Sequence, residues 1–363
     1  MESQKPWAIP EWRLMSLKEL QDSVAFDAAL HHPDIIYDPV GSNHNMYFSV
    51  VPMRELIDER EQDIVGLTIE TDLADPSSYN SRSHMLTKWS RHQLLAFFGV
   101  REKWFSFVEL DRQAEELNAR VSALSGYCVR TMRPYDDDFP VHVVRGLVSA
   151  EYVDIPNTAI MEAVVARMPP DSVALRYASG ITDRSFYAYV MSPNLIGIPG
   201  TKFHAHPTVL IRNSEVGHTS LSVTPALVNA NGQPIVAKEH MMLRKVHRGR
   251  DLDLRKLFEA AFAKCATLWE GMAEKIPLLV SKTYTFADGV VVLQRMLHRA
   301  EAKKEFIFAC EQHMKKTFHA NTTITALDLV ETITEVASGY TDRDENYEIS
   351  AIAGAVLFRL VLT

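Results

Sequence analysis

Two short segments near the start of the chain predict a pair of strands: a largely apolar run at 46–51 and a run with alternating character at 64–70. The apolar spacing then lengthens to that of a helix at 86–97 and again at 110–124. Gly99 follows the first of these predicted helices and is a typical helix-ending residue. The pattern thus changes from strand to helix after about residue 80.

Residues 125–240 consist of short β-branched and apolar runs separated by turn residues. The predicted strands are 127–132, 141–147, 172–179, 185–191, 208–212, 219–223 and 234–238. One helix interrupts them, beginning at Asn157, a favourable N-cap residue, and ending before Pro169 and Pro170. Asn231-Gly232 is a strong hairpin signal, so a mainly antiparallel sheet is predicted.

Helical spacing returns in the last third of the chain. The predicted helices are 254–262, 290–314, 326–337 and 351–362. Together these patterns predict an α+β fold, with a mainly antiparallel sheet and packed helices. We predict three regions: an acidic N-terminal extension with a strand pair at 1–80, a helical lead-in plus β-rich core at 81–249, and a helical region at 250–363.

Composition restricts the class of protein. The 363 residues are 47% hydrophobic and carry a formal net charge of -8, so a globular chain without overall attraction to polyanions is expected. Cys128, Cys265 and Cys310 are far apart, which argues against a disulfide framework or a zinc finger. No secretion signal or membrane-spanning run is apparent, so we expect a cytoplasmic protein without a membrane partner.

The segment Asn213-Ser214-Glu215-Val216-Gly217 places an amide, a hydroxyl and a carboxylate side by side between two predicted strands. One interpretation is a structural turn, in which Asn213 and Ser214 bond to nearby backbone and Gly217 supplies a positive φ. The other is a polar binding site for a phosphate or a metal ion, formed by Asn213, Ser214 and Glu215. The sequence favours the turn and leaves the site open.

Two other polar groups have weaker signals. His204 and His206 would lie on one face of a strand, and with Glu215 they could form part of a metal site. Histidines without such a role are the more common case. The run 136–138 consists of three aspartates and lacks the spacing of a calcium loop, so a solvated loop is expected there.

Two basic stretches rise above the acidic background. The candidate nucleic-acid-binding residues belong to or flank the first stretch, and they are Arg212, Lys238, Arg244, Lys245, Arg248, Arg250, Arg255 and Lys256. The second stretch includes Arg295, Arg299 and Lys303, which would share one face of the helix predicted at 290–314. Either stretch could follow a phosphate backbone, and either could be a solvated face.

Trp104, Phe105 and Phe107 form an aromatic cluster between the helices predicted at 86–97 and 110–124. Exposed aromatic rings can stack on the bases of a single strand. A buried plug between the two helices is the more common use of such a cluster, and we predict that arrangement.

Several segments resemble, in their order, a family of phage- and plasmid-encoded proteins known as "domain of unknown function nine-three-two". The segments are Gln93-Leu94, Gly99-Val100 and Leu117-Asn118, then residues 144–157, Thr182-Asp183-Arg184, Asn213 to Gly217, and 322–336. The resemblance runs from Leu86 to Val361. The chain departs from the family pattern in lacking a cysteine before Asn231-Gly232, and in having Pro156 before Asn157 where the pattern tends to have Asp.

The resemblance implies a mobile-element protein associated with replication or recombination, and it implies no catalytic group. Motifs for nucleotide binding, zinc proteases and serine hydrolases are absent from the sequence, so no cofactor is expected and an enzyme is unsupported. We therefore expect a homo-oligomer that binds single-stranded DNA or a DNA intermediate through its basic segment. A protein assembly or host-targeting module and a metal-dependent hydrolase or nuclease remain the alternatives.

Overall fold

The predicted α+β class is confirmed by a computed structural model. It describes residues 9–32, 34–36, 45–54, 61–71, 80–133, 142–198, 201, 203–248 and 252–362. Within these residues no helix is both long and apolar enough to cross a membrane. The aspartate run at 136–138 lies outside the described residues.

The helices lie mainly in the middle and at the end of the chain. They are α1 (Leu17–Ala29), α2 (Lys88–Phe97), α3 (Glu102–Phe105), α4 (Leu110–Asn118), α5 (Asn157–Val165), α6 (Leu254–Lys275), α7 (Phe286–Arg299), α8 (Lys304–Thr317), α9 (Ala326–Ala337) and α10 (Arg343–Leu362). Short 3-10 turns also occur, at Glu11–Arg13, Val121–Leu124, Lys238–His240 and Ile276–Val280.

The described strands form two larger sheets and one short antiparallel pair. They are β1 (Leu14–Ser16), β2 (Ile35–Ile36), β3 (Asn45–Arg54), β4 (Glu61–Thr71), β5 (Asn80–Leu86), β6 (Tyr127–Met132), β7 (His142–Ser149), β8 (Val173–Leu175), β9 (Gly180–Ile181), β10 (Phe186–Met191), β11 (Ile196–Gly197), β12 (His204–Asn213), β13 (Leu221–Asn229), β14 (Pro234–Val236), β15 (Leu243–Lys245), β16 (Thr283–Thr285) and β17 (Thr323–Thr325). The short pair is β16–β17, whose two strands are separated in the chain by α7 and α8.

The central sheet is antiparallel, in the order β1-β8-β10-β12-β13-β14, with β15 also paired to β13. Helices α1, α5 and α6 cover one of its faces through buried side chains such as Leu20, Ile160 and Phe258. Tyr187, Tyr189 and other buried residues occupy the opposite face, where α10 adds Tyr347. The central sheet is therefore covered on both faces, which explains its nearly continuous buried strands.

The second sheet has the order β2-β6-β7-β5-β4-β3, in which the β5–β7 pair is parallel. Helices α2 and α4 pack on it around Leu94, Leu117 and Val144. The strand pair predicted at 46–51 and 64–70 is the antiparallel pair β3 and β4. The first 80 residues contribute to both sheets, because β1 pairs with β8 while β3 and β4 belong to the second sheet.

The single helix predicted at 290–314 is wrong, since two helices, α7 and α8, occupy this range. Glu301 has φ 58°, a left-handed conformation, and the Ala302 N–H bonds to the Leu297 carbonyl. This backbone arrangement ends a helix. Lys303 therefore lies outside α7, and it does not continue the row that Arg295 and Arg299 form on that helix.

Helix α10 approaches the backbone of β14 at Gly354 more closely than any side chain would allow. A Cβ atom at Gly354 would lie 1.9 Å from the Val236 carbonyl oxygen. Gly271 in α6 is also inside a helix, but it is exposed and a Cβ there would meet open space. The two glycines thus form a matched pair for substitution.

We expect Gly354→Ala to lower the free energy of unfolding by about 2 kcal/mol or more, because the helix must move away from β14. Gly271→Ala should raise it by about 0.5–1 kcal/mol through the better helix propensity of alanine. Urea unfolding followed by circular dichroism measures both changes. Equal effects of the two substitutions would contradict the close helix–strand contact.

Candidate functional site

The segment Asn213 to Gly217 connects β12 to the loop that leads into β13, and most of it is buried. The side chains of Asn213, Ser214 and Glu215 are all buried, and Gly217 has φ 77°. A positive φ at this glycine is what the turn interpretation requires.

Hydrogen bonds among the described residues occupy most polar groups of this segment, the exception being Asn213 Oδ1, which is buried without a hydrogen-bond partner there. Asn213 donates from Nδ2 to the Ile155 carbonyl at 2.9 Å and to Asn157 Oδ1 at 2.8 Å. Ser214 Oγ donates to the Arg184 carbonyl at 2.7 Å and accepts from the His218 N–H at 2.9 Å. These contacts favour the structural interpretation of the segment.

Glu215 is the centre of a buried ion pair that joins the two sheets. Its Oε2 lies 3.2 Å from Arg145 Nη2 of β7, and its Oε1 accepts from the Asn157 N–H at 2.8 Å. Arg130 of β6 donates to the Glu215 carbonyl and pairs with Asp34 at 3.0 Å. A buried carboxylate is tolerated only when such partners replace its hydration.

His31 extends this network to α1. Its Nδ1 lies 3.0 Å from Arg145 Nη1, and its Nε2 lies 3.0 Å from Asp27 Oδ2. His31 therefore links Asp27 of α1 to the Arg145–Glu215 pair.

Val216 fixes helix α2 to the central sheet. Its carbonyl accepts from Gln93 Nε2 at 2.9 Å and from Trp89 Nε1 at 3.2 Å. A Cβ atom at Gly146 of β7 would lie 2.7 Å from Val216 Cβ, so the second sheet also packs closely here. The connection after β12 thus holds α2, β7 and the central sheet together.

The suggested metal site at His204, His206 and Glu215 is not assembled. His206 is buried, and its Nδ1 lies 3.0 Å from the Asn194 carbonyl. Asn213, the residue before the loop that carries Glu215, lies seven positions after His206 along an extended strand, a distance of roughly 23 Å. No group of three potential metal ligands occurs among the described residues.

A histidine cluster that the sequence patterns did not indicate lies on the second sheet. His32 Nε2 is 2.9 Å from His142 Nδ1, and the rings of His84 and His142 are 5.5 Å apart. Burial, followed by the charge of His142, lowers the pKa of His84 from 6.5 to about 4. His32 and His142 are 110 positions apart in the sequence, and His84 and His142 are 58 apart, so only the fold brings these residues together.

Arg212 does not lie on an open basic surface. It is half-buried on the face of the central sheet that α10 covers, and its Cζ lies 5.4 Å from the Tyr187 ring centre and 4.5 Å from that of Tyr347. Asp344 of α10 accepts from Tyr187 at 2.5 Å and from Arg184 at 2.9 Å in the same region. Arg212 therefore has a structural environment.

The other basic candidates divide between two places. Lys238 is exposed beside α10, where Arg359 pairs with Glu239 at 3.2 Å. A second group surrounds β15 and the start of α6, where exposed or half-exposed side chains belong to Arg244, Lys245, Arg248, Arg255 and Lys256. Arg250 lies outside the described residues. We call these five described residues the basic segment.

The predicted aromatic plug is wrong for two of its three members. Phe105 is 2% exposed and packs in the core under α2, but Trp104 is 48% exposed and Phe107 is 81% exposed. The physical reason is the helical periodicity, since residues three apart lie on the same side of a turn, so Trp104 and Phe107 share the outward side when Phe105 points into the core. Two large rings therefore remain in contact with solvent.

Comparisons with known proteins provide no further assignment. No family model, no curated protein and no solved structure matches this chain.

We expect Glu215→Gln to lower the free energy of unfolding by roughly 3–5 kcal/mol, because it leaves the Arg145 charge buried without its partner. In the Glu215→Gln variant, adding Arg145→Met should lower the free energy of unfolding by less than it does in the unmodified protein, because the ion pair is already broken. Urea unfolding of the single and double variants measures this coupling. Additive losses would contradict a direct Arg145–Glu215 interaction.

We also expect acid to destabilise the protein through His84. Its pKa in the folded protein, about 4, is below the ordinary 6.5, so the unfolded chain takes up a proton first as the pH falls. The contribution of neutral, buried His84 to the free energy of unfolding, roughly 3 kcal/mol, is therefore complete above pH 6.5 and is lost as the pH falls to 4. His84→Gln should reduce the loss, and an unchanged pH dependence in urea unfolding would refute it.

Proposed function

We propose that this protein binds single-stranded DNA, or a DNA intermediate, of a phage or plasmid, and that the basic segment contacts the phosphate backbone. The observation that carries the proposal is the exposure of these cations on a chain with net charge -8. Such a local excess attracts polyanions even when the whole molecule is acidic.

The charges of the basic segment are largely available to a ligand. Among the described residues, the ion pair of this segment is that of Lys256 with Asp253, at 3.4 Å between two exposed side chains. Arg244 contacts the Ser220 hydroxyl at 3.4 Å, which leaves its charge without a carboxylate partner in the described part of the chain. An exposed pair of the Lys256 kind contributes little and is easily exchanged for a phosphate.

The position of β15 gives a competing explanation of these charges. It pairs with β13 alone among the described strands, so it lies at an edge of the central sheet. Charged side chains on edge strands also protect a protein from edge-to-edge aggregation. Arg244 and Lys245 point to opposite faces of this edge, so a bound strand would have to pass around it.

The two explanations differ in their response to substitution. We expect Arg244→Ala, Arg248→Ala and Arg255→Ala, combined in one variant, to weaken binding of a fluorescent oligo(dT) of about 30 nucleotides by at least about tenfold. The log–log salt slope should fall by roughly 2, at about 0.7 for each lost phosphate contact. Fluorescence anisotropy between about 50 and about 200 mM salt measures both.

The matched control removes three exposed charges elsewhere, by alanine substitutions on α8 at Lys304, Lys315 and Lys316. This variant should bind like the unmodified protein. Equal weakening by both variants, or binding that does not respond to salt, would overturn the proposal. Aggregation of the first variant with unchanged affinity of its soluble fraction would favour edge protection, and light scattering with and without the oligonucleotide tests the proposed oligomer.

A further inference from the structure

We infer that the surface formed by α2 and α3 is a second nucleic-acid contact, on which Trp104 and Phe107 stack with the bases of a single strand. This inference rests on the proposed function, and it adds base stacking to the phosphate contacts of the basic segment. Stacking on aromatic rings is the chemistry by which single strands are held without regard to sequence.

The two rings are held outward by the residue between them. Phe105 packs in the core with Leu94 and Leu95 of α2, which orients α3. The Arg91 guanidinium carbon lies 5.5 Å from the centre of the Phe105 ring and fixes the same turn from α2. Trp104 and Phe107, three residues apart, therefore remain exposed on a supported turn and not on a loose loop.

Exposed rings of this size carry an energetic cost in water, which a stacked base would remove. Other exposed aromatic residues are present in the described chain, such as Trp12 and Phe308. What distinguishes Trp104 and Phe107 is the charge around them.

A groove beside these rings has a basic lining. It has a volume of about 810 Å³, and its polar lining residues are Lys88, Arg91, Glu102, Lys103 and Ser106. Three of these side chains are cationic and one is acidic, and the Glu102 carboxylate lies 3.4 Å from His92 Nδ1. Arg101 adds an exposed cation at the start of α3.

Lys103 and Ser106 line the groove, and they directly precede Trp104 and Phe107 in the sequence. Phosphates in the groove would therefore place the adjoining bases near the exposed rings. Rings beside a cationic groove match the two parts of a nucleotide, whereas a protein partner would require a wider apolar patch. The charge complementarity commits this surface to a single-stranded nucleic acid.

The test compares two pairs of aromatic substitutions. The first variant combines Trp104→Ala with Phe107→Ala, and the matched control combines Trp12→Ala with Phe308→Ala, which removes another exposed Trp and another exposed Phe. All four side chains are at least 48% exposed, so both variants should fold, and circular dichroism checks this. Each protein is titrated with oligo(dT), with oligo(U), and with an abasic deoxyribose-phosphate strand of equal length.

We expect the first variant to bind oligo(dT) about tenfold more weakly than the unmodified protein, and to bind the abasic strand equally well. The control should match the unmodified protein on both strands. An equal loss on oligo(dT) and on the abasic strand, no loss at all, or a change in oligomeric state caused by the first variant would overturn the stacking surface.

The outcomes for the two surfaces can be separated. Loss of oligo(dT) affinity in the aromatic variant, together with normal binding by the variant of the basic segment, would retain stacking and reject the proposed phosphate contact. The reverse result would reject stacking alone. Tighter binding of oligo(U) than of oligo(dT) would reject the DNA assignment and keep the stacking surface, and absence of any binding by the unmodified protein would reject both.

Discussion

The buried ion pair between Arg145 and Glu215 connects parts of the chain that are far apart in sequence, and the arrangement of both sheets depends on it. Glu215 follows β12 of the central sheet, and Arg145 belongs to β7 of the second sheet. His31 and Asn157 complete the hydrogen bonding from α1 and α5. Loss of only one partner of such a buried pair is strongly destabilising, so the pair specifies how the two sheets meet.

The same connection relates the two proposed binding surfaces. Val216 accepts hydrogen bonds from Trp89 and Gln93, which fixes α2 and therefore the groove beside α3. After this connection the chain enters β13, which pairs with β15 and so positions the basic segment. In this account the polar residues of the connection hold the molecule together, and the proposed ligand contacts lie at exposed surfaces outside it.

Local patterns predicted much of the fold, because most of its elements have strong signals of their own. The strand predicted at 127–132 coincides with β6, the helix predicted at 326–337 coincides with α9, and the Asn231-Gly232 turn joins β13 to β14. Elements that depend on tertiary contacts were harder to predict from the sequence. The break between α7 and α8 requires a left-handed conformation at Glu301, a position where the sequence has no glycine to indicate it. Burial of Arg212 under α10, exposure of Trp104 and the meeting of His32 with His142 also depend on partners distant in sequence. The charge and the residue types suggested a polyanion ligand, but only the fold separates surface cations from structural ones.

The most direct test of this account is to locate the bound strand on the protein. Ultraviolet cross-linking of a halogenated single-stranded oligonucleotide, followed by mass spectrometry of the digested protein, identifies the residues that touch its bases. The account predicts cross-links at Trp104 or Phe107, with excess unlabelled oligo(dT) abolishing them. Cross-links confined to α7–α10, or none at oligonucleotide concentrations that saturate binding, would contradict it.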